Sequence, residues 1–169
     1  RHTRCYRDWS SDVCLPISFD CVFCSRKSRR GSGEHMPYPL FESLVRQVSD
    51  PRTFLLNYSG ESTGYPDLIP AIRAARATGA WVELVSALVS MPESALPSLC
   101  GSGLHRLTVS LHAIDNAHFQ QIYRYGSFDA MRSRLVRLME LTRKMEDPPV
   151  IDLAFVAMDR NLDQLPGVA

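Results

Sequence analysis

Apolar positions along the chain switch between a period near two and a period near 3.6, in the order strand then helix, several times over. A short first strand is expected over residues 15–20, ending at Cys21. The next helix spans 39–48, with Leu40, Leu44, Val45 and Val48 on one face, and Asp50-Pro51 breaks it. A second strand at 53–58 leads to a helix at 66–78, where Pro70 sits early and Gly79 supplies a C-terminal cap. A third strand at 81–86 precedes a short helix at 93–100, closed by Gly101 and Gly103. A fourth strand at 106–112 is followed by a helical turn that Asp115 caps and that runs to Tyr123. Ser127 caps a longer helix reaching about Met145, with Met131, Leu135, Leu138 and Leu141 as its stripe. Asp147-Pro148-Pro149 ends it, a fifth strand covers 150–157, and 159–169 reads as a loop and the opening of a fifth helix.

Alternation of this kind implies βαβ units and a parallel sheet. The expected fold is α/β: a partial (β/α)6 TIM-barrel-like sheet, with about four and a half βα units in one domain over residues 1–169. A closed eight-unit barrel needs ~250 residues. The reading is therefore a piece of a barrel that lacks its C-terminal units.

Composition narrows the function classes. Hydrophobic residues make up 45% and charged residues 22%, ordinary for a globular domain. A net charge of +1 gives no pull toward nucleic acid or a membrane surface. No apolar run approaches a membrane span, and residues 1–9 lack the apolar stretch of a secretory signal. Of five cysteines, three crowd into positions 14–24, with Cys5 upstream and Cys100 far downstream. A secreted disulfide scaffold spreads and pairs its cysteines. Clustering points instead to a metal site in a reducing, cytoplasmic setting.

In a parallel barrel, chemistry collects at the C-terminal ends of the strands. The unusual polar residues fall there: Cys21 and Cys24, then Ser59, Gly60 and Glu61, then Ser86, then Ser110 and His112, then Asn161. Cys14, Cys21 and Cys24 offer three thiolates within eleven residues. Three cysteines suit an iron–sulfur cluster with one iron left open, a zinc site completed by Cys5 or His35, or incidental buried thiols. A glutamate beside glycine at a strand end can receive an ammonium group, or it is a solvated carboxylate capping the next helix. On the fourth strand Leu107, Val109 and Leu111 alternate with Thr108, Ser110 and His112, which puts the polar set on the barrel interior. His112 is then a ligand contact or a satisfied histidine. Arg124 reads as a carboxylate clamp or a surface arginine. The basic stretch 26–30 reads as a solvated loop or a surface for an acidic electron donor or anionic substrate.

Taken together the chain resembles the radical S-adenosylmethionine (SAM) superfamily, from Cys14 to about Asn161. The resemblance is carried by Cys21-Val-Phe-Cys24, Ser59-Gly60-Glu61-Ser62, Ser110-Leu-His-Ala113 and residues 122–128. It implies that Cys14, Cys21 and Cys24 ligate three irons of a 4Fe-4S cluster and that SAM chelates the fourth. It further implies that Phe23 flanks the adenine, and that Ser59, Gly60, Glu61 and Ser62 form the segment receiving the SAM amino group. Ser86, Ser110, His112 and Arg124 would contact ribose or carboxylate, and Asn161 would line the adenosine side. The implied reaction is reductive cleavage of SAM to a 5′-deoxyadenosyl radical that takes hydrogen from a peptide or small metabolite; the alternative is a non-catalytic zinc- or cluster-binding relative of the same fold. A flavodoxin or ferredoxin would donate the electron. Two departures stand out. Six residues separate Cys14 from Cys21 where the family has three between its first two cysteines, which keeps Cys5 open as the first ligand. Ser59 and Ser62 replace a glycine and a proline of the family's Gly-Gly-Glu-Pro segment.

Overall fold

The computed structural model describes residues 21–24, 35–57 and 60–168. The expected first strand, Cys5, Cys14, the basic stretch and Ser59 lie outside the described residues.

Helix α1 (Tyr38–Gln47) opens on Pro37 and Pro39 and buries Phe41 and Val45, one turn apart. β1 (Thr53–Leu55) follows, then a single 3₁₀ turn at Ser62–Gly64. Helix α2 (Leu68–Arg76) buries Leu68, Ala71, Ile72 and Ala75, the i, i+3, i+4, i+7 pattern of one helix face. β2 (Trp81–Ser86) leads to the short α3 (Leu96–Cys100), and β3 (Arg106–Ser110) leads to α4 (Asn116–Tyr123). Helix α5 (Phe128–Thr142) then precedes β4 (Val150–Ala154). The two expected caps form: Asp115 accepts the His118 N–H and Ser127 accepts the Ala130 N–H.

The four strands pair in parallel in the order β1-β2-β3-β4. Sequential order without a reversal is the progression of a barrel wall; a doubly wound sheet switches direction. The partial barrel-like α/β fold expected above is therefore present. Val82, Leu84, Leu107 and Val109 face the helices and share one core with Phe41, Ile72, Leu99 and Leu138. The opposite face of the sheet is polar: Arg106 lies between Asp152 at 3.3 Å and Glu83 at 3.9 Å. Among the described residues no helix is long and apolar enough to cross a membrane.

Three strands stop earlier than the hydrophobic pattern predicts. They end at Leu55, Ser110 and Ala154 rather than at 58, 112 and 157. The reason is visible in the hydrogen bonds at the C-terminal rim, where side chains take over main-chain groups. Val85 N–H donates to Asn57 Oδ1 (3.1 Å), His112 N–H to the Tyr123 hydroxyl (3.0 Å) and Val156 N–H to His112 Nδ1 (3.1 Å). Each interception ends a ladder and leaves the rim shaped by side chains.

Candidate functional site

The rim at the C-terminal ends of the strands begins with the segment Cys21–Cys24. Cys24 N–H donates to the Cys21 carbonyl at 3.1 Å, which closes a tight turn carrying both cysteines. Val22 N–H donates to the Ile122 carbonyl (3.0 Å), so the turn sits on the C-terminal end of α4. That carbonyl is one of the orphans every helix end leaves. The Phe23 ring stands edge-on to His112, with centroids 5.0 Å apart. Cys21 packs among Ala87, Leu111, Ile122, Tyr123 and Met131, and Cys24 lies against the same cluster.

Glu61 holds the second corner. It is only 4% exposed, so it is not a solvated loop carboxylate. It caps the 3₁₀ turn rather than α2: its Oε1 accepts the Thr63 N–H at 3.2 Å. The same oxygen accepts the Thr63 and Ser86 hydroxyls, and Oε2 accepts the Ala87 N–H at 2.9 Å. One buried carboxylate thus ties the loop after β1 to the end of β2. Oε2 keeps acceptor capacity beyond Ala87. Ser86 Oγ also accepts the Leu88 N–H (2.8 Å), and Leu88 is held at φ 59°. A buried leucine in the left-handed region is strained, and here a side chain–main chain bond enforces it. Gly60, at φ 122°, occupies a conformation that favours glycine and leaves the main chain open to close approach.

The third corner is the end of β3. His112 is buried, and burial pushes its imidazole down to about 4. Since Nδ1 accepts the Val156 N–H, the ring is neutral with its proton on Nε2. His112 stacks on Tyr123 at 5.5 Å and 10°. The Tyr123 hydroxyl donates to the Ser110 carbonyl (2.7 Å) and accepts the His112 N–H. Burial raises the Tyr123 phenol, and so does the nearness of Cys21 and Glu61. Tyr123 is therefore within electrostatic reach of the other two corners.

The remaining expected residues serve this rim in different ways. Ser110 joins it through its carbonyl, and Ser62 through its carbonyl to the Tyr65 N–H. Arg124 is exposed and ends α4 in the left-handed region, at φ 66°. Asn161 is fully buried, and its amide is committed to the loop after β4. Its Nδ2 donates to the His112 and Val156 carbonyls (2.9 and 3.0 Å) and its Oδ1 accepts the Met158 N–H (2.7 Å). Sequence reasoning did not single out Tyr123, Thr63 or Asn57. Tyr123 reads there only as an aromatic on a helix face, four residues after Phe119.

Among the described residues no three His, Cys, Asp or Glu side chains gather into a metal site. Cys21 and Cys24 are two soft ligands on one turn, the donor type that iron–sulfur clusters take. The expected third ligand lies outside the described residues.

The depressed His112 value gives a signed expectation. The unfolded chain binds this proton near the ordinary 6.5, and the folded chain only near 4. The associated stability is complete above pH 6.5 and is lost as pH falls toward 4. The loss is about 3 kcal/mol, at ~1.4 kcal/mol per pH unit of difference. Urea midpoints measured from pH 7.5 to 4 should fall more steeply in the wild type than in His112→Gln; parallel curves would count against a buried neutral imidazole.

A family model described as the Radical SAM superfamily matches residues 18–151. The chain is 30% identical over 161 residues to a probable GTP 3′,8-cyclase of Thermoplasma volcanium, covering 89% of this chain and 45% of that protein. It is 22% identical over 150 residues to a PqqA peptide cyclase of Bradyrhizobium diazoefficiens, covering 88% of this chain and 38% of that one. Among solved structures, TYW1 with a lysine-pyruvate adduct bound matches 89% of this chain and 64% of its own, at TM-score 0.56 and 16% identity. That last likeness concerns the fold alone. The chain spans less than half the length of the curated relatives it matches.

Proposed function

The chain belongs to the radical SAM superfamily, and from that premise we propose that it forms the cofactor-binding part of an enzyme that cleaves SAM reductively and takes hydrogen from a peptide or small metabolite. The supporting observation is the convergence of three separate segments on one rim. The cysteine turn, the Glu61 loop and the end of β3 meet through Cys21, Ala87, Leu111 and Tyr123. The names of the two curated relatives, one a GTP cyclase and one a peptide cyclase, support both substrate classes.

In this reading Cys21 and Cys24 are two of the cluster ligands, and Cys14 or Cys5 is the third. A 4Fe-4S cluster with SAM supplies the one-electron cleavage of the carbon–sulfur bond. The protein's own residues do the positioning. The apolar cluster beneath the cysteine turn keeps water from the thiol side of the rim. Gly60 permits close approach of the main chain beside Glu61, and Oε2, which accepts the Ala87 N–H, keeps acceptor capacity for one ammonium hydrogen bond. Phe23 borders the space above His112. Reductive chemistry fits a cytoplasmic setting and a small acidic donor such as a flavodoxin or ferredoxin.

The test is anaerobic reconstitution with iron and sulfide, followed by SAM and dithionite, with 5′-deoxyadenosine as the readout. The expected result is 5′-deoxyadenosine together with about four iron and four sulfide per chain. One zinc and no sulfide, or a filled cluster that makes no 5′-deoxyadenosine, would overturn the proposal.

A further inference from the structure

Three contacts run in series from the end of the sheet to the cysteine turn. The Tyr123 hydroxyl grips the last turn of β3 at two main-chain points, donating to the Ser110 carbonyl and accepting the His112 N–H. The Tyr123 ring stacks with His112 and with Phe119, at centroid distances of 5.5 and 4.3 Å. His112 and Phe23 meet in a T-shaped pair, at 82°. Phe23 directly precedes Cys24. A second attachment runs in parallel, from Val22 N–H to the carbonyl of Ile122, the residue before Tyr123.

Packing alone would be served by phenylalanine at position 123. The hydroxyl instead replaces a strand ladder at the point where the chain leaves the sheet, which fixes the direction of residue 112. We propose that Tyr123 is a positioning residue for the cysteine turn, acting through His112 and Phe23 to set where Cys21 and Cys24 stand relative to the rim. The role rests on the function proposed above, since it concerns the thiolates assigned there to the cluster. Displacements of ~1 Å in such positioning shells cost up to 100-fold in rate, which gives the contact chain its consequence.

Two readouts separate this role from a merely structural one. In metal-free protein, the rate at which iodoacetamide alkylates Cys24 is followed by mass spectrometry of the peptide. Tyr123→Phe is expected to react about tenfold faster than wild type, equivalent to about 1.4 kcal/mol of easier local opening. In the reconstituted protein, the electron paramagnetic resonance spectrum of the reduced cluster, with and without SAM, is expected to shift or broaden in Tyr123→Phe at unchanged iron content. Phe119→Leu disturbs the same aromatic stack off the path to Phe23 and is expected to lower the thermal midpoint while both readouts stay at wild-type values. Phe23→Leu cuts the path at its exposed end and should reproduce the Tyr123→Phe behaviour, so a poorly folded Tyr123 variant leaves the test intact. Wild-type alkylation and spectra in Tyr123→Phe or Phe23→Leu would overturn the proposal. So would changes in Phe119→Leu that scale with lost stability in the same way. Should wild-type protein take up no cluster, the functional reading fails, while the alkylation rates still decide whether Tyr123 holds the turn.

Discussion

Cys24→Ala should abolish iron–sulfur loading, from about four iron per chain to background, and with it 5′-deoxyadenosine formation, by at least ~100-fold. Cys21→Ala should do the same. The two side chains leave one tight turn and face one apolar cluster, and no other thiol among the described residues is near enough to substitute. Cys100 is the internal control. It is buried in α3 within the main core, and burial pushes its thiol up, so it stays a protonated core side chain. Cys100→Ala should cost about 1–2 kcal/mol of stability through the lost packing and leave iron content unchanged. Parallel measurements on Cys14→Ala and Cys5→Ala identify the third ligand, since only one of them should fall to background. Full iron loading in Cys24→Ala would remove the basis for the site.

Glu61→Ala is expected to carry the largest stability penalty of any rim substitution, about 3–5 kcal/mol, and to eliminate SAM binding. The carboxylate accepts two main-chain N–H groups and two hydroxyls in a buried setting. Removing it strips the Thr63 and Ala87 N–H groups of their acceptor, at ~1–3 kcal/mol each before relaxation, while the Thr63 and Ser86 hydroxyls, 3.2 Å apart, can still pair with each other. For a chain of this size that is a fall of roughly 10 °C or more in thermal midpoint. Glu61→Gln keeps the shape but turns an amide donor toward a donor, and should lose roughly half as much. Thermal midpoints of the metal-free proteins, with isothermal titration of SAM into the reconstituted ones, check both effects. A Glu61→Ala protein with a wild-type midpoint would show that the loop after β1 does not depend on this side chain. Loss of stability with intact SAM affinity would leave Glu61 as a pin between two strand ends and nothing more.

Glu61 and His112 also show how far the sequence reaches. Their position just after a strand was legible, because strand ends are marked by period changes and by glycine and proline. Whether each side chain is solvated, satisfied or facing a ligand was not legible, because that depends on Ser86, Ala87, Tyr123 and Val156, which lie 11 to 44 residues away. Asn161 is a similar case. Its place after the last strand was legible; that its amide bonds join His112, 49 residues back, to its own loop was not. The early ends of the strands belong here too. An apolar alternation continues to Val156, but hydrogen bonds from distant side chains end the ladders first.

The sequence by itself determined the order of strands and helices from α1 onward, the parallel sheet, and the helix caps at Asp115 and Ser127. Those follow from short-range physics: periodicity, capping and the geometry of βα units. Only the tertiary structure decided how the rim is built. It buried Glu61 as a four-donor acceptor, seated the cysteine turn on the open carbonyl of α4, and made Tyr123 the link between β3 and that turn. These are contacts between residues far apart in the chain, so local pattern does not encode them; they exist only once the sheet has brought its strand ends side by side.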